Sequence, residues 1–127
     1  MSTQRLLVST AAVALCIGSF ALLFPALLLA GKGVMPVEPG AVAMTRTVGV
    51  ALIGVAVLDL AVSSLPPSAV LRRVLLANAA FQLGLLPLDP WACATGAFHG
   101  LASFLPNSIL HVVLAAMFFR AWRGMPR

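Results

Sequence analysis

Apolar residues run almost without interruption through four stretches of the chain, 6–28, 43–62, 69–86 and 105–121, while glycines, prolines and polar residues collect in the gaps. Each stretch is about long enough to cross a bilayer core of ~30 Å as a helix. The pattern predicts an all-α integral membrane protein: one domain over 1–127, with four transmembrane helices running up and down as a bundle.

The gaps refine that picture. In the second gap Pro66 and Pro67 cannot continue a helix and Ser68 is suited to cap the next one, so the second and third spans form a tight antiparallel hairpin. The first gap mixes Gly31, Gly33, Pro36, Pro39 and Gly40, the chemistry of an ordered turn. Pro25 is expected to bend or end the first helix about one turn before it. The third gap, 87–100, is too apolar for a free loop, and Asp89 followed by Pro90 reads as an N-cap and first helical position. A short helix over 90–98 is expected in the membrane interface, with Trp91 at headgroup level or folded over the bundle as a lid.

Composition agrees: the chain is 61% hydrophobic and 9% charged with a mean hydropathy of +1.08, and one soluble core of ~100–150 residues could not hide so much apolar surface. The net charge of +5 would suggest nucleic acid in a soluble protein, but here the basic residues sit at helix ends, where they snorkel to lipid headgroups, and no nucleic-acid partner is expected. Six of the eight, Arg5, Arg72, Arg73, Arg120, Arg123 and Arg127, fall on one side if four helices alternate, against Lys32 and Arg46 on the other. The positive-inside rule then places both termini in the cytoplasm. The first span is too long for a secretory signal, whose apolar region runs ~7–15 residues, and is expected to be retained. Leu15 is too bulky for a lipoprotein site at Cys16. Cys16 and Cys93 differ in depth by about 15 Å at 1.5 Å per residue, so two unbonded thiols are expected, Cys16 packing between helices.

Small residues prescribe close helix contact. Thr10, Ala14 and Gly18 form a stripe on the first span and Ala43, Thr47 and Ala51 another on the second, and these faces are expected to meet. Polar residues inside a span need partners or a water-filled site. Asp59, at about the depth of Arg72 and Arg73, is expected to form a structural ion pair with one of them. Arg46, Gln82 and His111 fall in a common layer ~5–9 Å below the outer surface. Asn78 with Gln82, and Asn107 with His111, are spaced i, i+4 and give two helices an inward polar stripe. With His99 in the loop above, these six residues outline a ligand-binding pocket in the outer half, unless they serve only to bond helices together. Arginine is an obligate cation and histidine changes charge near neutral pH, so the pocket suits an anionic or quinone-like head group.

Other chemistries lack their residues. There is no CxxC, no HExxH or other paired-histidine metal site and no glycine-rich phosphate loop, so no metal is expected and the catalytic residues, if any, are unknown.

The segments Phe24-Pro25, Arg46 to Asp59 (RTVGVALIGVAVLD) and Leu71 to Asn78 (LRRVLLAN) together resemble the small four-helix bacterial membrane proteins of DoxX-like and related domain-of-unknown-function type. The resemblance implies a multi-pass protein of the bacterial inner membrane with an arginine opening the second span, which Arg46 matches. It implies by analogy of fold a quinone-linked role beside a partner subunit. Three functional classes follow: a ligand-binding bundle or accessory subunit of a membrane complex, with lipid or quinone as its ligand; a membrane-embedded enzyme or quinone-reactive subunit using His111 or His99; and an oligomeric channel or transporter, the membrane lipids being partners in each.

Overall fold

A computed structural model describes residues 2–126; Arg127, counted above among the basic residues, lies outside them. The order is α1 (Thr3–Leu23), α2 (Pro25–Gly31), α3 (Pro39–Val62), α4 (Ala69–Leu85), α5 (Leu88–Ala94), a 3-10 turn (Leu101–Ser103) and α6 (Leu105–Gly124). Among the described residues every regular element is helical. Four stretches, Thr3–Leu23, Pro39–Val62, Ala69–Ala94 and Leu105–Gly124, are long and apolar enough to cross a membrane. The chain divides into two compact units, one of Ser2–Ser63 and the other from Ser64 onward.

In the first unit α1 starts where Ser2, in extended backbone, accepts a hydrogen bond from the Arg5 N–H at 3.3 Å. It ends at Leu23 because Pro25 has no N–H to continue the ladder; the same proline then opens α2, where its fixed φ is an asset. The expected break at Pro25 is therefore a full stop, and the stretch 6–28 is two helices. Gly33, at φ 79°, supplies the left-handed residue that turns the chain after α2. The next helix begins at Pro39, four residues before the apolar run at Ala43, because proline at the first helical position needs no donor.

The contact between α1 and α3 is a backbone contact. A Cβ on Gly18 would stand 2.8 Å from the Gly49 carbonyl oxygen, and one on Gly49 would stand 2.7 Å from the Gly18 carbonyl oxygen. Only glycine permits that approach. Thr10 and Gly18 of the expected first stripe are buried, but Ala43, Thr47 and Ala51 are exposed. The face of α3 that meets α1 carries Gly49, Leu52 and Ile53 instead. Cys16 is exposed as well, so it is not the packing thiol expected; neither it nor Cys93 is in a disulfide. The threonines here satisfy their hydroxyls within their own helices, Thr10 on the Leu6 carbonyl at 2.8 Å and Thr45 on that of Ala41 at 2.8 Å, which lets them sit in an apolar span.

In the second unit Ser68 caps α4 as expected, its Oγ accepting from the Leu71 N–H at 3.2 Å. The helix of the third gap spans Leu88–Ala94 rather than 90–98. Its N-cap is Pro87, with no side-chain bond, and Asp89 lies inside the first turn. It stops early because Gly96 and Gly100, at φ 77° and 81°, turn the chain into the 3-10 turn. Trp91 is 72% exposed on it. Pro106 sits in the first turn of α6, and that helix packs along α4.

Candidate functional site

Three side-chain contacts join α4 and α5 to α6. Near the start of α4 the Arg72 guanidinium lies over the Trp122 ring, 5.0 Å from its centroid. Toward the other end of α4, His111 Nδ1 stands 2.6 Å from Gln82 Oε1. Beyond that, Asn107 donates through Nδ2 to Asp89 Oδ2 at 2.8 Å. Residue numbers rise on one side as they fall on the other, so the hairpin is antiparallel, and the i, i+4 spacings on each helix place its polar residues in line.

Local sequence makes this ladder. Gln82 and Asn78 are one turn apart and only 6% and 5% exposed, in a helix that is otherwise apolar after Arg73. Asn78 Nδ2 donates to the Val74 carbonyl at 3.3 Å. An amide oxygen only accepts, so across this contact His111 Nδ1 donates to Gln82 Oε1. Ser108, three residues before His111 and so on the same side of α6, keeps a buried hydroxyl that has no hydrogen-bond partner among the described residues. An unmatched buried donor in an apolar span is costly and is the kind of group a ligand oxygen satisfies.

The remaining residues singled out from sequence are placed as follows. Arg46 is exposed on α3 and Asp59 is completely buried on the same helix, both in the first unit. In the second unit Arg73 is exposed near the start of α4, and His99 is exposed in the segment after α5. Asp89 was expected as a cap, and its role as the partner of Asn107 corrects that reading. The helix starts two residues earlier than the Asp-Pro pair implied, which frees the carboxylate to reach α6. Trp122 and Ser108 were not singled out. An antiparallel pairing that sets Gln82 against His111 puts residue 72 level with residue 121, next to Trp122, so the hairpin register carried the signal for Trp122. A second polar contact, Cys93 Sγ to Ser103 Oγ at 3.4 Å, ties α5 to the 3-10 turn.

No group of three or more His, Cys, Asp or Glu side chains among the described residues is placed to hold a metal ion. Comparison with family models, with curated proteins and with solved structures finds no match for the chain.

Proposed function

We propose that the chain is a small multi-pass protein of a cytoplasmic membrane that binds the polar head of an amphiphilic ligand, quinone-like or lipid, beside the Gln82–His111 pair. The arginine-rich end of the α4–α6 hairpin faces the cytoplasm in this reading, by the positive-inside rule. The ligand site then lies in the outer half, with α5 and its Asp89–Asn107 bond beside it. What supports the reading most directly is the coincidence on one side of α6 of His111, hydrogen-bonded at 2.6 Å, and Ser108, whose buried hydroxyl is unmatched. The Ser108 hydroxyl offers a donor, beside a polar pair, to a head group bearing carbonyl or hydroxyl oxygens.

The test is native mass spectrometry of the detergent-purified protein titrated with a short-chain benzoquinone and, separately, with a neutral diacylglycerol. Wild type should retain one of them, and Ser108→Ala and His111→Leu should each weaken retention about tenfold or more, as expected when a ligand hydrogen bond is lost in an apolar site. Retention of neither probe, or equal retention by all three proteins, would sink the proposal.

A further inference from the structure

The other end of the α4–α6 hairpin carries a different chemistry. Arg72 and Arg73 lie in the first turns of α4, and Arg120 and Arg123 in the last turns of α6. Because Arg72 stacks on Trp122, the two helices are in register there, and at 1.5 Å per residue all four arginines fall within about 5 Å of one level along the hairpin. Arg73, Arg120 and Arg123 are exposed. Asp89 is the sole acidic residue from Ser64 onward, and it is bonded to Asn107 at the opposite end of the hairpin.

We infer that this arginine ring, anchored by the Arg72–Trp122 stack, is a binding site for the phosphate of an anionic phospholipid such as phosphatidylglycerol. The Arg72 guanidinium is held by the indole face, with its Nε–H buried and making no hydrogen bond among the described residues. A cation fixed by stacking keeps its charge for a ligand, whereas one fixed by a carboxylate is already neutralised. Tryptophan at this level is the side chain that sits best between acyl chains and headgroups. A ring of basic side chains at the end of an apolar hairpin, next to an interfacial indole, matches both parts of a phospholipid: the phosphate on the guanidinium groups and the glycerol and first methylenes on the apolar helix faces.

The site is tested on delipidated protein in detergent, where the orienting effect of positive charge during insertion plays no part. Phosphatidylglycerol, phosphatidylcholine and inorganic phosphate are the probes, and bound adducts are read by native mass spectrometry. Wild type should prefer phosphatidylglycerol, and millimolar inorganic phosphate should not displace it. Each surface arginine is worth about a factor of five toward an anionic headgroup, so Arg73→Gln/Arg120→Gln/Arg123→Gln should weaken binding about a hundredfold with helicity unchanged, since all three side chains are exposed. Lys32→Gln/Arg46→Gln, which removes charge outside the hairpin, should change it less than fivefold. Trp122→Leu should release Arg72 and weaken binding, and Trp122→Phe should restore most of the loss. Equal weakening by the two charge-removing sets would reduce the effect to net charge and overturn the site. So would a wild type without preference for phosphatidylglycerol, or one from which inorganic phosphate displaces it.

Discussion

The two units share a layout and differ in what closes it. Each runs long helix, seven-residue helix, glycine turn, long helix, and in each a proline stands in the first turn of the returning helix. In Ser2–Ser63 the long helices meet through backbone, glycine against glycine, with threonine hydroxyls turned back onto their own helix. In the unit from Ser64 they meet through side chains, by a stack and a polar bond, and a second polar bond ties α5 to α6. Lipid tails are as apolar as leucine, so neither hairpin gains from hiding apolar surface, and dispersion at close range and hydrogen bonding are the two means left. The first is indifferent to chemistry and fixes shape. The second places donors and acceptors inside an apolar span, which is the only reason such groups can act on a ligand there.

The largest effect should come from breaking the backbone contact. Gly18→Val or Gly49→Val puts a branched side chain where even a Cβ would be under 3 Å from a carbonyl oxygen, and the obstacle is backbone, which cannot step aside. Overpacking of this kind costs about 3 kcal/mol or more. The α1–α3 hairpin should separate, seen as a loss of the cooperative transition when the purified protein is titrated with denaturing detergent. A variant that still unfolds in one step at the wild-type midpoint would show that α1 and α3 do not depend on this crossing.

Next is the polar rung. Gln82→Leu and His111→Leu each remove one side of the 2.6 Å contact, at about 1–3 kcal/mol, and the double variant should be better than the sum, with a coupling of about 0.6–1.7 kcal/mol. Additive losses would mean that the 2.6 Å contact stabilises nothing, and the ladder would lose its meaning as a device for closing the second unit. The first unit offers no such cycle, because its closing atoms belong to the main chain.

Much of the architecture was legible because lipid makes hydropathy decisive. A run of apolar residues has no alternative to a helix when its backbone must satisfy itself, so the four long helices, the break at Pro25 and the Ser68 cap all followed from composition and turn chemistry. What was misread depends on angle rather than on depth. The stripe Ala43, Thr47, Ala51 and the residue Gly49 lie on the same helix at similar heights, and small residues surround it, so only the direction in which α3 leans selects Gly49. On α4 and α6 the polar residues singled out by i, i+4 spacing include the pair that meets, Gln82 and His111, while Asn78 donates to the Val74 carbonyl and Asn107 to Asp89. Asp-Pro is a strong helix-start signal, yet the helix starts two residues earlier, at Leu88 behind Pro87, because that proline supplies a backbone already set for a first turn and Asp89 is taken by Asn107.

A smaller effect is expected from the caps, where the units use one device in two settings. Ser2 and Ser68 each accept from the N–H three residues on, at 3.3 and 3.2 Å. Removal of such a cap costs about 1 kcal/mol in water. Ser2 is exposed, where water satisfies the orphaned donors, while Ser68 is half-buried and follows two prolines that leave α4 no room to unwind. Ser68→Ala should therefore lower the midpoint measurably and Ser2→Ala hardly at all. Equal losses would indicate that the start of α1 is as constrained as that of α4.

The smallest effect, and the one of opposite sign, concerns the glycines with room around them. Gly54 in α3 and Gly84 in α4 have nothing within 4 Å of the position a Cβ would take. In a helix interior glycine is less favourable than alanine by up to about 1 kcal/mol, because it has more freedom to lose. Gly54→Ala and Gly84→Ala should each be neutral or raise the unfolding midpoint slightly, while Gly18→Ala and Gly49→Ala lower it. The four alanine variants thus separate glycine as a contact surface from glycine as a tolerated weakness, one residue of the second kind standing in each unit. If Gly54→Ala instead cost as much as Gly49→Ala, close approach of another helix to that exposed face would be required, and the shape-fixing contact of the first unit would extend beyond the Gly18–Gly49 crossing.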